Sequence, residues 1–357
     1  MSRTARWSRG RGVLAAGLAL VVSVGCGDPA EREVPGVVVR DSAGVRIVEN
    51  PPAALSRVVA VSAEPEVVVG SMDGEPDVQL FQVMAAVRLS DGSFVVANGG
   101  TREVRFYGPD GEHRRTVGGP GQGPEEYRYP QAIVVGPGDT LQVQDFLDRV
   151  RYTPDGAFLG RESADMGRLQ TAVGPDAFPE GGLWLADGTL FTPAFVREER
   201  RGPPDPGPPF RPPLRLLRIS GDLSTATLLG DFGGIRQQYV QVDAGPRGVM
   251  PVVPPFAVST SYAAGASDGT LVVGDSEVPE VRLFRPDGTE ERARWPAERE
   301  PVTAAEVETW LEAQRNAPWT QNRLPQMERA WAAMEVPARK AAFGRVAMGR
   351  DGSVWVP

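Results

Sequence analysis

The chain has 357 residues, 41% of them apolar, which suffices for a sizeable core and excludes wholesale disorder. Its formal charge of −8 gives a surface that would repel nucleic acid and anionic headgroups. One histidine and one cysteine exclude an intrachain disulfide and argue against a zinc site or a Ser-His-Asp triad.

Met1 to Arg11 carries Arg3, Arg6, Arg9 and Arg11 and no acid, and Val13 to Val24 is apolar or small. A basic head, a short apolar run and small residues describe a secretory signal over 1–25. The run is too short for a comfortable transmembrane helix. "SVGCGD" places small residues directly before Cys26. This resembles the lipobox of bacterial lipoproteins, in which the cysteine is acylated and becomes the new N-terminus. Cys26 is therefore expected to carry lipid, with 26–36 as a polar tether and the membrane as a partner through that lipid. Cleavage would remove four Arg and no acid, so attachment would rest on the acyl chains and not on a basic patch.

From residue 37 onward the sequence repeats. "LSDGSFVVANGGTREVRFYGPDGEHR" from Leu89 and "ASDGTLVVGDSEVPEVRLFRPDGTEER" from Ala266 stay in register from one Asp-Gly turn to the next. Further copies begin at Gly136, at Leu183 with resumption at Leu214, and at Met348. Each reads as strand, tight Gly turn, strand, short loop, strand, Pro-Asp-Gly turn, strand. Four antiparallel strands every 40 to 50 residues or so is the spacing of a β-propeller blade. Val45 to Val48 and Glu66 to Val69 are strand-like and are expected to complete the last blade. The fifth copy stops at Pro357 after two strands at most, so the sequence reads as a propeller lacking its C-terminal end.

Gly119, Gly121 and Gly123 in "GGPGQGPEEYRYP" raise the question of a phosphate loop. Such a loop needs a helix directly after it. Pro124, Pro130 and an apolar strand follow instead, so the stretch reads as a crossover between blades. With the strand and turn after it, it resembles the repeat of NHL-type propellers at Glu126, Tyr127, Pro130, Asp145, Arg149 and Val150. From about Val67 to Pro357, with the lipobox, the chain resembles bacterial six-bladed β-propeller lipoproteins. That resemblance implies an all-β fold of four-stranded antiparallel blades, six when complete, and export to the periplasm or cell surface. It implies no activity.

Pro193 to Pro213 and Gln241 to Phe256 are Pro-rich and are expected to be long irregular connections. Val302 to Ala342 is expected to hold one or two helices. Thr303 and Glu306 form a capping-box pattern, and Val307, Trp310, Leu311, Met327, Ala330, Trp331 and Met334 fall at helical spacing. These departures are candidates for a binding rim, with Phe210, Arg211, Trp310 and Trp319 as anchors and Trp331 under the helices. His113 follows a turn and reads as solvated. Asn98, Asp145 and Asp275 share one repeat position at the end of the second strand. They could converge on Ca²⁺ or accept hydrogen bonds from the next loop. The leading expectation is a lipid-anchored, non-catalytic binding module for an envelope protein or small ligand, with no cofactor beyond a possible Ca²⁺. The alternatives are a Ca²⁺-dependent hydrolase or lactonase with a central-channel site, and a structural component of an envelope complex.

Overall fold

A computed structural model of the chain describes residues 36–52, 62–70, 75–76, 78–196, 205–243, 248–265, 268–349 and 351–356. The signal, Cys26 and most of the tether lie outside the described residues. The fold is all-β, built of four-stranded antiparallel sheets of propeller-blade type. After a hairpin of β1 (Val38–Ser42) and β2 (Val45–Glu49), the first sheet is β3 (Val83–Arg88), β4 (Phe94–Asn98), β5 (Glu103–Tyr107) and β6 (His113–Gly118). The second is β7 (Pro130–Val135), β8 (Leu141–Asp145), β9 (Asp148–Tyr152) and β10 (Phe158–Glu162). Helix α1 (Met166–Val173) leads to the third, made of β11 (Ala177–Pro179), β12 (Leu183–Trp184), β13 (Leu190–Val196), β14 (Pro213–Ile219) and β15 (Ala226–Gly233). A separate hairpin pairs β16 (Gln238–Gln241) with β17 (Val249–Val252). The fourth sheet is β18 (Thr260–Ala264), β19 (Leu271–Asp275), β20 (Glu280–Phe284) and β21 (Glu290–Arg294). Helices α2 (Ala304–Asn316) and α3 (Leu324–Ala333) precede a short pair, β22 (Ala347–Met348) and β23 (Val354–Trp355).

The repeated Asp-Gly-Ser/Thr turn explains the common register. Asp91, Asp187, Asp268 and Asp351 each accept a hydrogen bond from the N–H two residues on, at 2.9 to 3.0 Å. The intervening glycine takes positive φ (+87° at Gly92), which a residue with a Cβ adopts only with strain. Apolar side chains then alternate into the spaces between sheets. Val95, Ala97, Val104 and Phe106 of the first sheet pack with Ile133, Leu141, Val143 and Tyr152 of the second. Phe191, Leu214 and Leu216 of the third pack with Leu271, Val273 and Phe284 of the fourth.

Three expectations are corrected. Val45 to Val48 does not join the short C-terminal pair: β2 runs parallel to β21, with Ile47 opposite Arg292, and makes the fourth sheet six-stranded. β2 covers what would otherwise be an open edge of β21, and Arg46 meets Glu291 across the pair at 3.8 Å. Glu66 to Val69 is not in a strand. The Pro-rich stretches are not irregular throughout. Pro193 lies inside β13 opposite Leu216, and Pro251 inside β17 opposite Tyr239. Pro193 cannot donate a main-chain hydrogen bond, and the opposing chain bulges out beside it, at Glu180 to Gly182.

The capping box forms as the sequence predicts. Thr303 Oγ1 accepts from the Glu306 N–H and Glu306 Oε2 accepts from the Thr303 N–H. Lys340, the only lysine, donates to Glu300 at 2.9 Å and pairs with Glu306 at 2.6 Å. Lys340 first, then Thr303, holds the Glu306 carboxyl at about 2, against its ordinary 4.5. A depressed carboxyl contributes stability that is present above pH 4.5 and is lost as pH falls toward 2. The amide protection of α2 should therefore fall progressively across that window, and Glu306→Gln should remove the dependence. Hydrogen exchange at stepped pH checks it.

Candidate functional site

The ends of the second strands come first, because the sequence singles them out. Asn98 is fully buried. Its Oδ1 accepts from the Phe81 N–H at 2.8 Å and its Nδ2 donates to Thr101 Oγ1 at 2.8 Å. Asp145 is also fully buried. It accepts from the N–H groups of Tyr129 (2.7 Å) and Arg128 (3.2 Å) and from Arg161 Nη2 (2.6 Å). Burial alone would lower the Arg161 pKa, but the bonds to Asp148 and Asp145 outweigh it and raise it. Asp275 accepts from Arg211 Nη1 with both oxygens, at 2.9 and 3.0 Å, and from the Glu277 N–H.

A Ca²⁺ ion needs six to eight oxygen ligands around one point. Here each carboxylate is met by a guanidinium and by main-chain donors, and each of the three positions lies in a different sheet. Among the described residues no three His, Cys, Asp or Glu side chains are grouped to hold a metal ion. These residues do not fit Ca²⁺. A millimolar excess of Ca²⁺ should leave the thermal midpoint unchanged, since a ligand that does not bind the native state adds nothing to its stability. A rise of several degrees in a calorimetric scan would contradict this.

The glycine loop after β6 is closed by its own acid. Glu126 Oε2 accepts from the N–H groups of Gln122 (2.9 Å) and Gly123 (2.8 Å). Donors that could face a phosphate thus hold a carboxylate of the same loop, and the chain continues into β7 without a helix. His113 begins β6, half-buried, with its ring edge-on to Tyr107 at 5.5 Å and Nε2 2.8 Å from Thr116 Oγ1.

All three long departures from the repeat reach the β16–β17 hairpin or form part of it. Phe210 exchanges main-chain hydrogen bonds with Gln237 at 2.8 and 2.9 Å and stacks on Tyr239. Gln238 donates to the Gly207 carbonyl and accepts from the Glu335 N–H. Arg329 of α3 donates to the Val242 carbonyl and to Asp243. Val240, Val242, Val252, Met327, Ala330, Trp331 and Met334 bury a core of their own, with Trp310 edge-on to Trp331 at 6.1 Å. Phe210 is thus a packing residue on Tyr239, and Trp310 and Trp331 pack on each other. Trp319 remains 55% exposed. Arg211 is a clamp and not a surface anchor. It holds Asp275, Glu277 and the carbonyls of Gly233 and Gly234.

Two titratable residues outside those the sequence singled out have shifted pKa values, Glu180 and Tyr262. Glu180 sits in the bulge between β11 and β12. Desolvation raises its pKa although much of the residue meets water. Tyr262, on β18, is also raised, by burial first and then by the charge of Glu180, with Arg345 opposing. The only sequence signal at Glu180 was "PEGGLW", a Gly-Gly pair interrupting an apolar strand.

No family model matches the chain. No curated protein matches it. Among solved structures it is similar to a Bacteroides fragilis protein described as exported, at 10% identity and a TM-score of 0.34, over 79% of this chain and 95% of that one. It is also similar to virginiamycin B lyase of Staphylococcus aureus (11%, 0.27, 59% and 84%) and to the calcium-binding protein regucalcin of Agrobacterium tumefaciens (10%, 0.26, 62% and 79%). At these values the similarities carry no inference about function.

Proposed function

We propose that the chain is an extracytoplasmic, lipid-anchored β-propeller of the NHL-like, six-bladed kind that acts as a non-catalytic binding module for an envelope partner. The observation that carries the reading is the cluster of insertions. The β16–β17 hairpin and helices α2 and α3, far apart in sequence, pack on one another around Trp331, Gly207 is tied to the hairpin through Gln238, and Trp319 is 55% exposed. Such a cluster is no part of the blade repeat, and Trp319, exposed between its two helices, is of the residue type that interface anchors favour. The Ca²⁺-dependent hydrolase has no comparable support, because its carboxylates are held by Arg161 and Arg211. Among the described residues no helix is long and apolar enough to cross a membrane. Attachment is assigned to Cys26 on the lipobox-like "SVGCGD" of the sequence.

The test uses the full chain in its native envelope. Labelled fatty acid should enter the wild-type protein and not Cys26→Ala. A photo-crosslinking residue at Trp319 should form a discrete adduct. The same residue at Leu228, 54% exposed on β15, should not. Equal adducts at both positions, or none at Trp319, would remove the rim.

A further inference from the structure

The outer half of the fourth sheet carries a charge pattern that stability does not explain. Arg282 of β20 stands directly opposite Arg292 of β21 in the antiparallel pair. Like charges placed so are destabilising. Arg294, two residues further along β21 and so on the same face, brings a third guanidinium to the place. The chain as a whole has a formal charge of −8, so this gathering of arginines runs against its general balance.

Two glutamates hold these side chains, each through Nε alone. Glu280 accepts from Arg282 at 3.0 Å and from Arg294 at 2.5 Å, and Glu290 accepts from Arg292 at 2.6 Å. Burial would raise the Glu280 pKa, but the bonds from Arg294 and Arg282 outweigh it and lower it, so the acid stays ionised. Arg282 also lies over the Phe232 ring of β15, 5.0 Å from its centroid. Among the described residues the Nη groups of the three arginines make no hydrogen bond, so most donors of each guanidinium are free. All three side chains are half-buried and line one cavity of about 440 Å³ together with Glu280. Val278, Pro279 and Trp295 complete its wall. The Trp295 N–H donates to the Pro279 carbonyl at 3.2 Å, and its ring rests on Phe343 at 5.6 Å, so the indole is fixed in place.

We infer that this groove, lined by Arg282, Arg292, Arg294 and Trp295, binds a soluble phosphate monoester that carries a flat ring. The phosphate oxygens take the free Nη donors, since a planar guanidinium matches phosphate with paired N–H groups. The ring lies against Trp295 and the Val278–Pro279 edge. A cavity of this size suits a small molecule, with a few placed polar groups to orient it. The anion, lying between Arg282 and Arg292, offsets the repulsion between them. The site is separate from the Trp319 rim and does not depend on it.

The experiment is calorimetric titration of the full chain with phenyl phosphate, inorganic phosphate and phenol at about pH 8, where the ester is a dianion. Phenyl phosphate should bind, inorganic phosphate should bind at least about tenfold more weakly, and phenol should not bind. Arg292→Gln should weaken phenyl phosphate at least about tenfold and leave the ligand-free thermal midpoint no lower, because it removes one of two opposed like charges. Arg294→Gln should weaken it likewise and decides the matter if Arg292→Gln fails to fold. Arg168→Gln, on α1 and outside the groove, should bind as the parent does. Absence of phenyl phosphate binding at about 10 mM, equal binding of inorganic phosphate, groove variants that bind as the parent does, or an equal loss in Arg168→Gln would each overturn the inference. Tighter binding to phosphatidylcholine vesicles containing phosphatidate than to phenyl phosphate would place the phosphate on a lipid and overturn the soluble ester.

Discussion

Asp145→Ala should lower the unfolding free energy by about 3–5 kcal/mol, the range for removing one partner of a buried charged pair. The cost comes from what is left behind. Arg161, 13% exposed, would lose the partner at 2.6 Å and keep only Asp148 and the Glu126 carbonyl. The N–H groups of Tyr129 and Arg128 would lose their acceptor at the entrance to β7. Asp275→Ala occupies the same place in the repeat and should cost less, about 1–3 kcal/mol. Asp275 is 22% exposed, and Arg211 retains Glu277 and two carbonyls after the loss. Urea unfolding of the two variants at neutral pH checks the order. Equal losses would mean that the retained partners of Arg211 contribute little.

Trp331→Ala should remove about 3–5 kcal/mol from its own neighbourhood, as truncation of a buried Trp does. Its ring is 8% exposed and packs among Val240, Val252, Met327 and Trp310. The loss should not be spread evenly. The β16–β17 hairpin and the two helices share a core that includes no residue of the first or second sheet. Local opening there can occur while the sheets stay folded. Hydrogen exchange should therefore quicken at β16, β17 and α3 and stay slow at β4 and β8. Uniform acceleration would show that the insertions are integral to the propeller. In the envelope, the same substitution combined with the crosslinker at position 319 should lose the adduct.

Much of the fold was legible because its cause is local. An Asp, a Gly and a hydroxyl residue in a row specify a turn wherever they occur, so Asp91 and Asp268 report the same register. Thr303 and Glu306 likewise specify a helix start from four residues. The partner of the β1–β2 hairpin was not legible. Alternating residues identify a strand, but they do not tell which free edge it will choose, and Ile47 found Arg292 in a parallel pairing. Proline misled for a related reason. Pro193 looked like a breaker, yet a strand tolerates it where the neighbouring chain bulges away. The clamp at Asp145 was half legible: the repeat marked the acid, but Arg161 lies on the outermost strand and nothing in its spacing marks it as the partner.

The pairing of β2 with β21 also sets an order of events during synthesis. Asn50 donates to the Arg294 carbonyl across 244 positions of sequence. A ribosome adding about 5–20 residues per second needs on the order of ten seconds or more to supply that carbonyl after Asn50 has left the tunnel. The first strands made are thus among the last to find their place. During that interval Val38 and Val39, exposed even in the finished sheet, have no permanent cover. Arg40, Asp41, Arg46 and Glu49 space the apolar residues of this hairpin with charge, which keeps a waiting strand edge from pairing with another chain. Neutralising those four residues should leave the mature sheet standing and lower the yield of chains that reach it.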